Sequence, residues 1–397
     1  MSDAGDPHRF EDVEWDDLDG SRQFLTPTRA AFLVGLVVVG CIYVLEIAGI
    51  DVTGRTFDRL DWVMFLGTVV LGSFGLVPAV RNRTLLARLL RRLFARPVHA
   101  AGATFLLGLS LVAVLGSVVL GSPDLAFQHR FHAPYGFTSV NGWHAECLGE
   151  ITEGEGITRY CDGTAAYPLG TNQRGHPMGH LLVEGARVTL TVLVFTAAFV
   201  VPLATVAGVV AGFRGGLVDD LLMSYVDVQL CIPAIVVFFI GYMYWNVSLL
   251  LLLVTFGLLS WGGIARLVRS ETLQRREDGY VLVARSLGAS RSYIAKRHIV
   301  PNITNTLVPA IFHLLALLVL VEAGVAFLGF HHIELYSWGS TMQEGLDPHF
   351  SGIGLSMHPH EIWWVSTLPA MALTLTLASL KLVGDGVRDA LDPRDNH

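Results

Sequence analysis

Charged residues are scarce in this sequence of 397 residues. Only 15% are Asp, Glu, Lys or Arg, whereas an ordinary globular domain carries about 25%. This scarcity excludes a disordered protein, a nucleic-acid-binding domain and most soluble enzymes of this size. Lysine is rarer still, because Lys296 and Lys381 are the only two among 27 basic residues. Neither lies in the Gly-Lys-Ser/Thr of a Walker A loop, which excludes an ATPase site of that kind.

Cysteine is also scarce. Four cysteines are too few to build a disulfide scaffold in a chain of this length. Cys147 and Cys161 fall in the same long polar segment, where they form a disulfide if the segment faces an oxidising compartment and remain thiols otherwise. Cys41 and Cys231 lie in apolar segments, where small buried residues are the expected interpretation.

Hydrophobic residues, in contrast, make up 52% of the chain and occur in long blocks. A helix needs about 20 apolar residues to cross a hydrocarbon core of roughly 30 Å. The segments that meet this requirement are 29–50, 61–80, 98–121, 186–212, 221–243, 247–265, 305–329 and 363–384. They predict an all-α, polytopic integral membrane protein with about eight transmembrane helices.

The distribution of arginine predicts how these helices are oriented. Segment 81–97 carries six Arg and segment 266–302 carries eight basic residues, and loops rich in Lys and Arg face the cytoplasm. Four predicted helices separate the two segments, and this even number allows both to be cytoplasmic. Both chain termini are then cytoplasmic, and the long loops 122–185 and 330–362 lie outside. Residues 1–28 have neither the basic start nor the cleavage site of a signal peptide.

Segment 266–302 has the pattern of a folded loop. The apolar residues from Tyr280 to Leu287 favour a short amphipathic helix, which Gly288 closes in a left-handed cap. Ser290 caps a second short helix that Pro301 ends. Two short helices that meet at a glycine form a compact projection, which either docks in a groove of another protein or lies on anionic lipid.

Motifs in this loop and around it resemble those of ABC importer permeases. YVLVARSLGAS followed by RHIVPN resembles the EAA loop of that family. PLGTN and GARVTL resemble the PLGTD and GARVSL of its dipeptide/oligopeptide branch, in the C-type permease subunit. AGFRGGLVDDLLMSYVD, ARLVRSETL, VEAGVAFLGF, YSWGSTM and VGDGVRDALDPR follow the family's order. Together these motifs cover residues 168–394, and they imply the type I ABC importer permease fold with two extra N-terminal helices.

The sequence departs from the family pattern at three places. The family's Glu-Ala-Ala reads Leu282-Val283-Ala284, so the acidic residue is missing. Its Met-Arg reads Met223-Ser224, and its Gly-Arg-Asp after PLGTD reads Gly175-His176-Pro177. The missing glutamate puts a salt bridge or cap at the docking surface in question, whereas Gly288 and Pro301-Asn302 keep the shape of the loop.

The resemblance implies a division of the chain and a set of partners. The expected regions are an acidic cytoplasmic tail (1–28), a two-helix extension with a basic cytoplasmic loop (29–97), a first family helix with a long extracytoplasmic loop (98–185), a permease core with coupling loop 266–302 (186–388), and a cytoplasmic C-terminus (389–397). The expected partners are a second, different permease subunit, two ABC ATPase subunits that use ATP with magnesium, an extracytoplasmic substrate-binding protein and membrane lipid. The chain itself is expected to hold no cofactor, and its location is the cell membrane.

The coupling loop is the candidate site that the resemblance implies. Its expected residues are Tyr280, Ala284, Arg285, Gly288, Ala289, Ser290, His298, Pro301 and Asn302. The implied function is ATP-driven import of di- or oligopeptides by alternating access, with nickel or an oligosaccharide as alternative substrates. A membrane scaffold or sensor without transport is the rival interpretation. A secondary transporter would instead have paired broken helices, and the sequence reveals no such pair.

Two further groups of residues stand out by their position. Glu322 is an acid about midway along the seventh predicted helix, where it either lines the transport pathway or bonds to a neighbouring helix. Ten histidines fall in the outer loops, but they lack the close spacing of metal ligands, so no metal site is predicted. These ten are His129, His132, His144, His176, His180, His331, His332, His349, His358 and His360.

Overall fold

A computed structural model of the chain describes residues 26–49, 57–121, 125–141, 146–154, 159–245, 248–330, 336–346 and 358–391. Helices dominate these residues, and one small sheet interrupts them. The helices are α1 (Pro27–Ile47), α2 (Arg59–Arg81), α3 (Arg83–Ala95), α4 (Pro97–Val119), α5 (Met178–Arg214), α6 (Gly216–Cys231), α7 (Ala234–Tyr244), α8 (Leu249–Arg275), α9 (Gly279–Ser286), α10 (Arg291–Phe327), α11 (Trp338–Leu346) and α12 (Trp363–Leu391).

Seven of the described helices are long and apolar enough to cross a membrane, and the count is eight if the bent pair α6–α7 forms one span. The predicted fold class is therefore confirmed, and the chain is a polytopic, all-α membrane protein. The predicted tail 1–28 and C-terminus 389–397 lie largely outside the described residues, as do parts of the two long loops.

A break at Pro233 divides the fifth predicted helix. The axes of α6 and α7 differ by 75°. Ile232, the residue before the proline, has an extended backbone, which is the conformation that a residue preceding proline favours. The pair still connects the two ends of the helical bundle. Helix α6 begins beside the end of α5, whereas Phe239 of α7 packs on Phe330, just beyond α10, with ring centroids 4.6 Å apart.

The two ends of the bundle differ in composition. One end, hereafter the basic end, consists of α3, the turn 214–216 and residues 275–300. There the guanidinium of Arg276 donates to the carbonyl of Gly212 at 3.1 Å. Helix α12 also ends there, where Arg92 donates to the carbonyl of Ala390 at 2.9 Å. Both arginine-rich segments therefore lie at the same end, as the predicted topology requires.

The opposite end carries a three-stranded antiparallel sheet that the sequence did not predict. Strands β1 (Thr138–Asn141), β2 (Ile151–Glu153) and β3 (Arg159–Asp162) have the order β1-β3-β2. A disulfide joins Cys147 to Cys161 of the central strand. Trp364, in the first turn of α12, donates its indole N–H to the carbonyl of Thr171 at 3.0 Å and ties the same loop to the bundle.

The N-terminal extension contacts the core through α2. Gly67 of α2 lies against Val194 and Phe199 of α5, where a Cβ would approach their side chains within 3.1 to 3.3 Å. Helix α1 has no buried residue and packs on α2, with Gly35 against Val69. The basic loop expected between the second and third spans is the amphipathic helix α3, whose Leu93 is buried.

The expectation that Pro301 ends a short helix is wrong. Helix α10 runs without interruption from Arg291 to Phe327, through a π turn at Ala295–Ile299. A proline ring in an α-helix clashes with the carbonyl four residues earlier, which here is that of Arg297. Because this carbonyl lies within the wider π turn, the ring fits and the helix continues. The same arrangement, a π turn that ends two residues before the proline, precedes Pro78 and Pro202.

Candidate functional site

The candidate coupling loop folds as a projection from the basic end, hereafter the knob (residues 279–299). Helix α9 ends at Ser286, and Gly288 has a φ of +81°, which confirms the predicted left-handed turn. The N–H of Ala289 then donates to the carbonyl of Ala284 at 3.0 Å and satisfies the end of the helix. Ser290 accepts a hydrogen bond from the N–H of Tyr293, which confirms it as the cap of the next helix.

Buried side chains and one polar cluster hold the knob to the bundle. Val281, Ile294 and Ile299 are fully buried. The amide of Asn302 donates both to the hydroxyl of Tyr280 at 3.2 Å and to the carbonyl of His298 at 2.7 Å. Three of the predicted loop residues are thus brought together. Of the remaining predicted residues, Pro301 lies inside α10 instead of ending a helix.

Burial and the neighbouring Asp278 raise the pKa of Tyr280. A tyrosine phenol is protonated at neutral pH even in water, and this rise keeps it so. In this form its oxygen accepts the hydrogen bond from Asn302 while its own O–H is directed to Asp278. The cluster fixes the start of α9 against the first part of α10.

The outer face of the knob is apolar and exposed. Leu282 is 50% exposed, Val283 is 59% exposed and Leu287 is 81% exposed. Leu282 occupies the position at which the resemblance predicts an acid. Exposed apolar side chains that lie together are typical of a surface that contacts another protein or the membrane.

Two ion pairs between α6 and α8 were not predicted. Arg269 binds both carboxylate oxygens of Asp219, and its Nη2–Oδ2 distance is 2.6 Å. Arg266, three residues before Arg269 in α8, pairs with Asp227 of α6. The spacing of the arginines, i and i+3 on one helix face, is the only local signal for these contacts. The pairs attach the broken span to the helix that leads into the knob.

Replacing Arg269 with alanine is expected to lower the free energy of unfolding by about 2 kcal/mol, because the buried carboxylate of Asp219 would lose its partner. Thermal unfolding of the detergent-purified chain measures this loss. Arg266 is the matched control, since its pair with Asp227 is about half exposed, and alanine there should cost about 0–1 kcal/mol. Equal losses for the two variants would contradict the assignment of Asp219 as the buried partner.

Glu322 lies near the end of α10 that faces the sheet. Its carboxylate is buried and accepts a hydrogen bond from the hydroxyl of Ser337, just before α11. The same hydroxyl oxygen accepts from the N–H of Ser340 at 3.3 Å. These contacts join α10 to the start of α11, and a role of Glu322 in the transport pathway stays a prediction.

A second polar cluster at this end was also missed. The amide of Asn172 donates to Glu344 of α11 at 2.7 Å, and Arg174 lies 3.7 Å from the other carboxylate oxygen. Burial raises the pKa of Glu344, and the two partners oppose that rise. The cluster links the loop before α5 to α11, and Asn172 belongs to the PLGTN motif.

The described histidines do not converge on a metal site. Within the described ranges, no group of three or more His, Cys, Asp or Glu side chains is arranged to hold an ion. His144, His331, His332 and His349 lie outside those ranges. The disulfide already occupies Cys147 and Cys161.

Comparison with known proteins gives consistent matches. The family described as binding-protein-dependent transport system inner membrane component matches residues 204–396, which include the knob. The oligopeptide transport system permease protein OppC of Escherichia coli is 31% identical over 235 residues, 59% of this chain and 74% of the relative. OppC of Haemophilus influenzae is 30% identical over 57% of this chain and 70% of its own length. The dipeptide transport system permease protein DppC of Bacillus subtilis is 28% identical over 58% and 70%.

Proposed function

Because the chain belongs to the ABC permeases of the peptide importer family, we propose that it forms part of the channel through which di- or oligopeptides enter the cell. Its permease role is that of a transport component and not of an enzyme. ATP with magnesium would be hydrolysed by two separate ATPase subunits, and this chain needs no cofactor of its own. A second, different permease subunit and an extracytoplasmic substrate-binding protein complete the proposed assembly.

The observation that carries the proposal is the continuity between the knob and a membrane-spanning helix. Helix α10 has 37 residues from Arg291 to Phe327, and its first residues belong to the knob. A helix of that length reaches across the bilayer, so a displacement of the knob at one end tilts the opposite end. At that end Glu322 and Ser337 connect α10 to α11. ATPase closure would thereby change which face of the permease is open.

The composition of the two ends of the bundle supports a proposed orientation. The basic end is proposed to be cytoplasmic, because arginine-rich segments remain on that side. The end with the sheet is then extracytoplasmic, where an oxidising compartment would sustain the disulfide. Helix α12 ends at the basic end, and the antiparallel pair α1–α2 brings the start of α1 to it as well. Both termini are therefore proposed to be cytoplasmic, in a multi-pass protein of the cell membrane.

Co-purification tests the proposal against the scaffold or sensor alternative. When the chain is co-expressed with the ATPase and permease genes adjacent to its own, it should retain both ATPase subunits, and the complex should hydrolyse ATP faster in the presence of the loaded binding protein. A chain that purifies without ATPase would contradict the proposal. The ligand bound by the neighbouring binding protein separates a peptide from nickel or an oligosaccharide.

A further inference from the structure

A cleft of about 680 Å³ opens between the knob and the basic ends of α5 and α8. Four arginines line it: Arg214, Arg276, Arg285 and Arg291. Glu277 is the one acidic residue among the lining residues. The walls come from three separate parts of the chain: the end of α5, the residues just after α8, and the knob.

The contacts within the described part of the chain leave the positive charge of this cleft largely unbalanced. Arg276 donates to the carbonyl of Gly212, and the guanidinium of Arg285 lies 5.2 Å from the ring centroid of Phe213. Neither contact supplies a carboxylate. No described acidic side chain forms an ion pair with Arg214 or Arg291.

Two acidic side chains that neighbour these arginines in the sequence already have partners. Asp278 lies 3.7 Å from Arg275, and Asp219 is bound by Arg269. The cleft therefore has four positive groups against the single charge of Glu277. Guanidinium groups bind carboxylates in a planar, two-bonded geometry, so the cleft is suited to acidic side chains from outside the chain.

We propose that this cleft receives acidic side chains of the ATPase subunit when that subunit docks on the knob. The inference rests on the proposed function and adds the chemistry of the contact. A protein is favoured over a free anion because the exposed apolar residues Leu282 and Leu287 stand beside the charged wall. An occupant must therefore present apolar and acidic surface together. Leu282 itself lines the cleft.

The scarcity of lysine makes a selective cross-linking experiment feasible. In a Lys296→Arg background, Lys381 is the only remaining lysine. Arg285→Lys or Arg291→Lys then introduces one amine into the cleft, and Arg297→Lys introduces one on the exposed surface of the knob outside the cleft. A carbodiimide joins an amine directly to a carboxylate that touches it. The reaction is carried out on the full complex, and mass spectrometry identifies the linked residues.

The expected result is a link from position 285 or 291 to an Asp or Glu of the ATPase, several-fold stronger than from position 297. Three results would overturn the proposal: equal linking from all three positions, linking to the second permease subunit instead, or no link from either cleft position. A membrane lipid or a small anion in the cleft would produce the last of these.

Charge reversal provides the second measurement. The double variant Arg285→Glu, Arg291→Glu should reduce the ATPase retained on the purified complex at least about tenfold. The control is Arg83→Glu, at an exposed position of α3 outside both the knob and the cleft, and it should leave the retained amount unchanged. Full retention by the double variant would overturn the cleft proposal and leave the proposed function standing. If the chain without substitutions also purified without ATPase, that result would instead contradict the proposed function itself.

Discussion

Substitution of Gly288 by valine is expected to abolish transport while the chain remains inserted in the membrane. Gly288 has a φ of +81°, a conformation that costs an L-residue about 1–2 kcal/mol and a β-branched residue more. A Cβ there would meet no atom within 4 Å, so the penalty acts only through the backbone turn. The turn sets the angle between α9 and the start of α10, and with it the position of the docking surface.

The control for this prediction is Gly288→Asn, because asparagine tolerates the left-handed conformation. It should retain most of the transport that valine removes. Peptide uptake and ATP hydrolysis are measured on the same proteoliposomes. A loss of coupling removes uptake while hydrolysis persists, whereas a loss of assembled protein lowers both. Full uptake by the valine variant would contradict the role given to the knob.

Substitution of Gly339 by alanine is expected to have the largest effect on stability. Gly339 is in α11, and a Cβ there would overlap the carbonyl oxygen and carbon of Ala323 in α10. Backbone atoms cannot move aside as a flexible side chain can, so α11 would have to shift. The contact of Ser337 with Glu322 and the 3.1 Å hydrogen bond from Trp338 to the carbonyl of Leu182 would be lost with it. We expect a loss of about 3 kcal/mol.

Gly324, adjacent to Ala323 in the chain, offers a matched control. A Cβ at Gly324 meets nothing within 4 Å, so Gly324→Ala should be neutral or should stabilise the helix by up to about 1 kcal/mol. Thermal unfolding in detergent compares the two variants directly. If Gly339→Ala unfolds at the same temperature as Gly324→Ala, the close packing of α10 on α11 is wrong.

Local sequence chemistry was sufficient to predict the helical spans and the turn of the knob. The spans follow from hydropathy alone, and the left-handed turn at Gly288 and the cap at Ser290 each depend on one residue type at one position. Hydropathy could not find the true start of α10, at Arg291 instead of 305. The early turns of that helix carry Lys296, Arg297 and other polar residues, and its backbone extends beyond the apolar segment.

The errors arose where a long-range contact or an unusual turn decides the structure. Pro301 has the local signature of a helix end, but the preceding π turn accommodates its ring. The pair Asp219–Arg269 joins residues that are 50 positions apart. The arginine cleft likewise combines residues from three elements. The accommodated proline and the cleft have no periodic or compositional signal in a single sequence, and the ion pair has only the i, i+3 spacing of Arg266 and Arg269.

This chain is proposed to transmit ATP-driven motion through the knob and α10 to a path for peptides. The decisive measurement is peptide uptake by proteoliposomes that contain the complete complex, with the loaded binding protein on the side of the sheet. The expected result is uptake that requires ATP on the side of the knob and is lost in Gly288→Val. Uptake without ATP, or uptake that is unchanged by Gly288→Val, would contradict it.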